Sequence, residues 1–188
     1  MGHGVSIIVA TFGAGWAGMG FESAIPSAME QGCQVVIEHG PSLADARNHA
    51  AWSATGEWLV FLDADDWLDD GYAASILDGV ADLRVSPLIE HVDNTTRRIR
   101  LARRHIETLN PCHVGTAIRR EMFCDLGGFP VFPAWEDWAL FLRAYRLGAT
   151  IEHLPADRPA YNALAREGSM NRREFDREAL HAEIHAWA

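Results

Sequence analysis

Cysteine is scarce in this chain of 188 residues, and the little there is lacks any chemical arrangement. Cys33, Cys112 and Cys124 are odd in number, widely spaced and free of any Cys-x-x-Cys pairing. That excludes a disulfide framework and a zinc knuckle, and leaves three small apolar side chains for packing. Long hydrophobic runs are missing as well; none approaches the roughly 18 residues that a membrane span requires. The N-terminus, Met1-Gly2-His3-Gly4, has neither the basic nor the apolar region of a secretory leader, so the cytoplasm is the expected compartment. Positive charge is in deficit. The formal net charge of −10 argues against simple electrostatic binding of nucleic acid, which needs a basic footprint. Internal repeats, linkers and low-complexity segments are absent.

What is present is the composition of one globular domain, 48% hydrophobic and 22% charged, long enough to bury a core. Its organising stretch is Trp58-Leu59-Val60-Phe61-Leu62-Asp63-Ala64-Asp65-Asp66-Trp67. A short apolar run bounded by Gly56 and three carboxylates reads as a central parallel strand opening into a site at its C-terminal end. Ligands of open α/β sheets gather there. Crowded carboxylates repel one another unless a cation sits between them, and Mg²⁺ or Mn²⁺ prefers such oxygen ligands. The plainer alternative is that Asp65 and Asp66 cap the next helix.

The pattern along the chain supports an α/β fold. Val5–Ala10 is a β-branched strand, followed by a glycine-rich loop and a helix over Phe21–Gln31 that Pro26 interrupts. Gln34–Ile37 is a second strand, Ser42 caps a helix to about Thr55, and Trp58–Leu62 is the third strand. Asp69 then caps a helix through Ala81. Alternating strands and helices predict a parallel sheet with right-handed crossovers. From Leu83 to Leu101 the alternation suggests antiparallel strands turning at Asp93-Asn94. Val114–Ile118 reads as a strand, Arg120–Leu126 as a short helix, Glu136–Leu147 as a longer one, Ile151–Leu154 as an edge strand and Arg172–Trp187 as a terminal helix. The expected layout is a single domain. About 1–82 forms a nucleotide-binding half, about 83–171 a second half, and 172–188 the closing helix.

Gly13-Ala14-Gly15-Trp16-Ala17-Gly18 also matches the dinucleotide-binding pattern, with Glu38 20 positions after Gly18 as a ribose-binding acid. Against a Rossmann-type oxidoreductase stand Thr11 and Phe12 ahead of the first glycine, Pro26 in the helix, and no evident redox half downstream. A phosphatase with Asp63 as nucleophile lacks the usual following residue.

With Phe61–Trp67 in view, the chain resembles family 2 glycosyltransferases of the GT-A (Rossmann-like) fold, a central mostly parallel sheet flanked by helices with a small antiparallel element in the second half. Val5–Phe12 is similar to the family's first strand and its turn. Ala46-Arg47-Asn48 resembles the family helix leading into the metal strand, Gly115–Phe129 the acceptor-side wall, and Trp135-Glu136-Asp137-Trp138 the Glu-Asp motif at a helix start. The likeness spans roughly 5 to 171. It implies an inverting transfer of a sugar from a nucleotide-diphosphate sugar, UDP-linked by preference, to an acceptor hydroxyl. The divalent metal, Mn²⁺ or Mg²⁺, falls to Asp65 as direct ligand and Asp63 as ribose or further metal ligand. Asp137 becomes the general base, with Glu136 on the acceptor side and Trp135 positioned to stack on a sugar or to pack in the core. Thr11, Phe12 and Arg47 fall on the nucleotide side, Arg47 beside the diphosphate or base.

Two departures from the family pattern stand out. Glu38-His39-Gly40-Pro41-Ser42 replaces the usual Asp-Asp-Gly-Ser, which puts base identity on Glu38. Arg166 stands where relatives carry a histidine that completes the metal site; arginine cannot ligate a cation, but it can bind diphosphate. The acceptor is open among a saccharide, a protein, a lipid carrier and a modified nucleic acid. The basic cluster Arg97, Arg98, Arg100, Arg103 and Arg104 either meets an acidic acceptor or is a solvated hairpin. A glycosyltransferase-like module retained for binding alone is the competing reading. His181 and His185, at i and i+4, suggest a solvated helix face, since no third metal ligand is apparent.

Overall fold

Val5–Phe12 alternates β-branched and small apolar side chains to both sides, and in the computed structural model of the chain it is the buried strand β1. The structure describes residues 4–13, 22–93, 95–99, 101, 105–165 and 175–188. After β1 come α1 (Ala24–Met29), β2 (Gln34–Gly40), α2 (Leu43–Ser53), β3 (Trp58–Asp63), β4 (Trp67–Leu68), α3 (Tyr72–Ile76) and β5 (Leu83–Val85). The second half holds β6 (Leu88–Val92), β7 (Thr95–Ile99), β8 (Ala117–Arg119), α4 (Arg120–Asp125), α5 (Glu136–Arg146), β9 (Ile151–His153), β10 (Tyr161–Ala165) and α6 (Arg177–Trp187).

The main sheet has the order β2-β1-β3-β8-β5-β9, and β8 alone runs against the other five strands. This is the α/β, mostly parallel sheet that the alternation of elements predicted. Because successive side chains of a strand point to opposite faces, β1 and β3 feed two cores. Ile8, Ala10, Leu59 and Phe61 pack under α2 and α5, while Ile7, Val9, Val60 and Leu62 pack under α1 and α3. Behind β3, the rings of Phe61, Phe123 and Phe129 interlock with centroids 4.7 to 5.6 Å apart. Such a cluster rigidifies the strand that ends in the carboxylates.

The differences from the sequence reading have local causes. Pro26 is the third residue of α1, inside the first turn, where its missing N–H leaves no hydrogen bond unmade. Asp69 does not cap α3. Gly71 begins that helix with a left-handed φ of 77°, and the helix ends at Ile76. The Asp69 carboxylate instead accepts from the Ala160 amide at 2.9 Å and Asn162 Nδ2 at 2.8 Å. It thereby fastens β4 to β10. The strand expected from Val114 starts only at Ala117, because Thr116 N–H turns back onto the His113 carbonyl at 2.8 Å. β5 joins the main sheet, so the turn at Asp93 (φ 51°) links only β6 and β7. A second sheet, β4-β10-β6-β7, is the antiparallel element of the second half, though β10 and β6 run parallel. The terminal helix is capped by Asp176, which accepts from the Ala179 amide.

Candidate active site

Ala10 on β1 pairs with Glu38 on one side and Asp63 on the other, so the ends of three parallel strands place both acids on one level. They share the face of Ala10, which is the face covered by α2. Ser42 starts α2 by accepting from the Asp45 amide, and this sets the helix phase that turns Arg47 inward toward the end of β3.

Arg47 is only 3% exposed. Its Nη2 donates to Asp63 Oδ1 at 2.5 Å and its Nη1 to Glu136 Oε1 at 2.7 Å. The guanidinium carbon lies 5.1 Å from the Phe129 ring centre. Burial opposes the charge of Arg47, but Asp63 and then Glu136 more than offset it and push its pKa up. The expectation was an arginine beside the diphosphate or base; the structure shows it buried and engaged by two acids.

The three carboxylates after β3 separate into two kinds. Asp63 and Asp65 are partly exposed at the strand end. Asp66 is buried and turned inward, accepting from the Tyr161 hydroxyl at 2.6 Å and the Leu164 amide at 2.8 Å. It caps no helix. Burial and the nearby charge of Asp63 drive the Asp66 pKa well up. Tyr161 also accepts from the Asp63 amide at 3.1 Å, so one phenol fixes both ends of the turn. Among the described residues, no three His, Cys, Asp or Glu side chains converge into a ready-made metal cage.

Asp137 is the second residue of α5, partly exposed, at a helix N-terminus that favours an acid. Its Oδ1 accepts from the Trp138 amide at 2.8 Å and its Oδ2 from Asn110 Nδ2 at 3.1 Å. Its pKa is pushed up to about 6, by burial first and by the adjacent Glu136 charge, against the pull of the Trp138 amide and Arg47. A carboxylate in that range is suited to take a proton near neutral pH. Trp135, just ahead of it, adopts a left-handed φ of 61°, a costly conformation for a bulky residue. Its ring packs 5.2 Å from Phe175 and 6.0 Å from Trp138. Trp138 is core: it is buried and donates from Nε1 to the Ile106 carbonyl at 2.8 Å.

Thr11 and Glu38 meet at the adjoining strand ends. Thr11 Oγ1 lies 2.9 Å from His39 Nδ1, and Glu38 Oε2 lies 3.2 Å from His49 Nδ1. Phe12, at the end of β1, is half-buried. Arg166 and the glycines at 15 and 18 lie outside the described residues, as do Arg100, Arg103 and Arg104. Of the remaining basic cluster, Arg97 pairs with Glu90, and Arg98 donates to the Ala156 carbonyl at 2.7 Å. The His181 and His185 rings stack at 4.3 Å beside Trp138. Sequence reasoning missed Asn110, which sits in a loop with no motif around it, and the role of Tyr161.

The site can be set beside known proteins. A family model described as glycosyl transferase family 2 matches residues 22–135, ending just before Glu136 and Asp137. No curated protein is similar enough in sequence to match. Among solved structures, S. aureus TarS 1-349 in complex with UDP-GlcNAc is similar with a TM-score of 0.72 and 20% identity, over 96% of this chain and 64% of that one. The same protein in complex with UDP gives 0.63 and 18%, over 86% and 60%. The chain therefore spans less than two thirds of TarS 1-349, and at this identity the likeness establishes the fold. No helix among the described residues is long and apolar enough to cross a membrane.

Proposed function

Because the chain belongs to glycosyl transferase family 2, we propose that it moves a sugar from a nucleotide-diphosphate sugar, UDP-linked first, to an acceptor hydroxyl with inversion. The observation that carries the reading is Asp137, a carboxylate held by Asn110 and the Trp138 amide with its pKa pushed up to about 6. It stands on the helix whose preceding acid is joined through Arg47 to the acidic strand end. In the reaction the acceptor oxygen attacks the anomeric carbon while Asp137 takes its proton. The bond from that carbon to the diphosphate breaks, and the electron pair leaves with the nucleotide. Retention through a covalent glycosyl-enzyme would need a second carboxylate as nucleophile, and this reading gives Asp63 and Asp65 to the donor instead.

Asp65 and the second oxygen of Asp63 would hold a divalent cation, Mn²⁺ or Mg²⁺. Such ions are commonly bound by one or two carboxylates completed by substrate phosphates, so this donor set fits. When bound, the ion supplies charge neutralisation of the leaving diphosphate. Thr11, Phe12 and Glu38 would border the nucleoside, and Trp135 would offer its ring to a sugar. The UDP-GlcNAc and UDP complexes of TarS support a uridine nucleotide as the first donor to try.

A thermal-shift panel of nucleotide-sugars with Mn²⁺, followed by assay of nucleotide release, tests the reading. One donor class should raise the melting temperature and be turned over. Stabilisation without turnover would mark a binding module, and no response to any donor would remove the proposal.

A further inference from the structure

Arg47 joins three elements: α2, the end of β3 16 residues on and the start of α5 89 residues on. It is 3% exposed, and its guanidinium donates to two protein carboxylates, Asp63 at 2.5 Å and Glu136 at 2.7 Å. A guanidinium suits this task, since its planar fork can meet two carboxylates at once where an ammonium is a single point charge. Removing it would leave two acids facing each other in a poorly solvated place.

Resting on the functional reading above, we infer that Arg47 is a positioning residue. It sets the distance between the donor-side aspartate on β3 and the helix that carries the base, and it does not bind the donor itself. The coupling follows from the geometry, because Glu136 is the covalent neighbour of Asp137 and its carboxylate accepts from Arg47 Nη1. The charges that bear on Asp137 come from three elements. Glu136 on α5 and Asp63 on β3 raise its pKa, and Arg47 on α2 lowers it. The Cys112 thiol faces the same carboxylate from the loop after Asn110 and is itself pushed up by burial and by that charge.

The test uses the full chain, with UDP-GlcNAc and Mn²⁺ as probe, and follows UDP release against pH. Arg47→Met should lower kcat by about 10²-fold, the size expected when a reacting group is displaced by about 1 Å. Donor KM should stay within about threefold. The acidic limb of the rate profile should move to higher pH in Arg47→Met and to lower pH in Glu136→Gln. Arg47→Lys should keep the limb near its wild-type place yet lose much of kcat, since one ammonium cannot span both acids. A limb that stays still in both Arg47→Met and Glu136→Gln would overturn the inference. So would a tenfold rise in donor KM with kcat unchanged, which would make Arg47 a donor ligand. If Arg47→Met does not fold, Arg47→Lys and Glu136→Gln carry the comparison. If the wild-type chain turns over no donor, the functional reading fails on its own. Carbon NMR titration of the Asp137 carboxyl then decides the inference: opposite displacement in Arg47→Met and Glu136→Gln supports it, and no displacement ends it.

Discussion

A carboxyl group with a pKa of about 6 is half-ionised just below neutrality, and at Asp137 this has opposite consequences for rate and stability. The base must be deprotonated, so transfer should rise with pH through that value. For stability the sign reverses. The folded state holds the Asp137 proton more tightly than the unfolded chain, whose aspartates titrate near 3.9. Stability from this group is therefore present below the unfolded value and is lost as pH rises toward about 6. Asp137→Asn should gain on the wild-type protein by about 1–3 kcal/mol between pH 4 and pH 7, discounted for the partial exposure of the group. Urea melts at both pH values measure it; a gap that does not change with pH would show that the carboxyl titrates normally. Tyr161 gives the second prediction at this scale. Its hydroxyl satisfies buried Asp66 and accepts from the Asp63 amide, so Tyr161→Phe should destabilise by roughly 1–3 kcal/mol. An unchanged melting temperature would mean that water replaces the phenol at no cost.

At the scale of elements, the site depends on how α2 and α5 are held against β3. Asn48, next to Arg47, closes a reciprocal pair with the Phe129 backbone: its Nδ2 donates to the carbonyl at 2.9 Å and its Oδ1 accepts from the amide at 2.8 Å. Gly128, with φ 82°, makes room for that pair; a Cβ there would come within 2.4 Å of Asn48 Oδ1. Gly128→Ala should therefore break the pair and lower the unfolding midpoint, by about 1–3 kcal/mol for strain and lost hydrogen bonds together. A variant as stable as wild type would show that the loop can move without effect. The elements that build the site were legible where local sequence decides them. Ser42 announced α2, Gly56 and the apolar run announced β3, and Glu136-Asp137 announced α5. β4 and β10 were not legible. They are two and five residues long, Tyr161-Asn162-Ala163-Leu164-Ala165 carries no β-branched residue, and both exist through pairing with partners far away in sequence. For the same reason a helix cap stayed open as an alternative for Asp66: its partners lie 95 and 98 residues on.

At the scale of the whole molecule, the family and fold were legible from the resemblance, because the motifs that carry it occur in order along most of the chain. The charge balance adds a constraint that no single residue supplies. An acidic protein of net charge −10, whose candidate site gathers Asp63, Asp65, Glu136 and Asp137, must still attract a diphosphate. Repulsion on that scale opposes an anionic ligand unless local positive charge intervenes. Arg47 is already engaged by two acids, so a divalent ion at Asp65 is the reading's natural counter-charge, and donor binding should collapse when it is removed. The most direct measurement is the rate of UDP release from UDP-GlcNAc with Mn²⁺ at neutral pH, compared among wild type, Asp65→Ala, Asp137→Asn and wild type in EDTA. Only wild type with Mn²⁺ should turn over at full rate. Asp137→Asn should fall by about 10²–10⁴-fold while still binding donor, as expected for loss of a general base, and Asp65→Ala and EDTA should both abolish binding and turnover. Undiminished release by Asp137→Asn, or by the wild-type chain in EDTA, would contradict the reading.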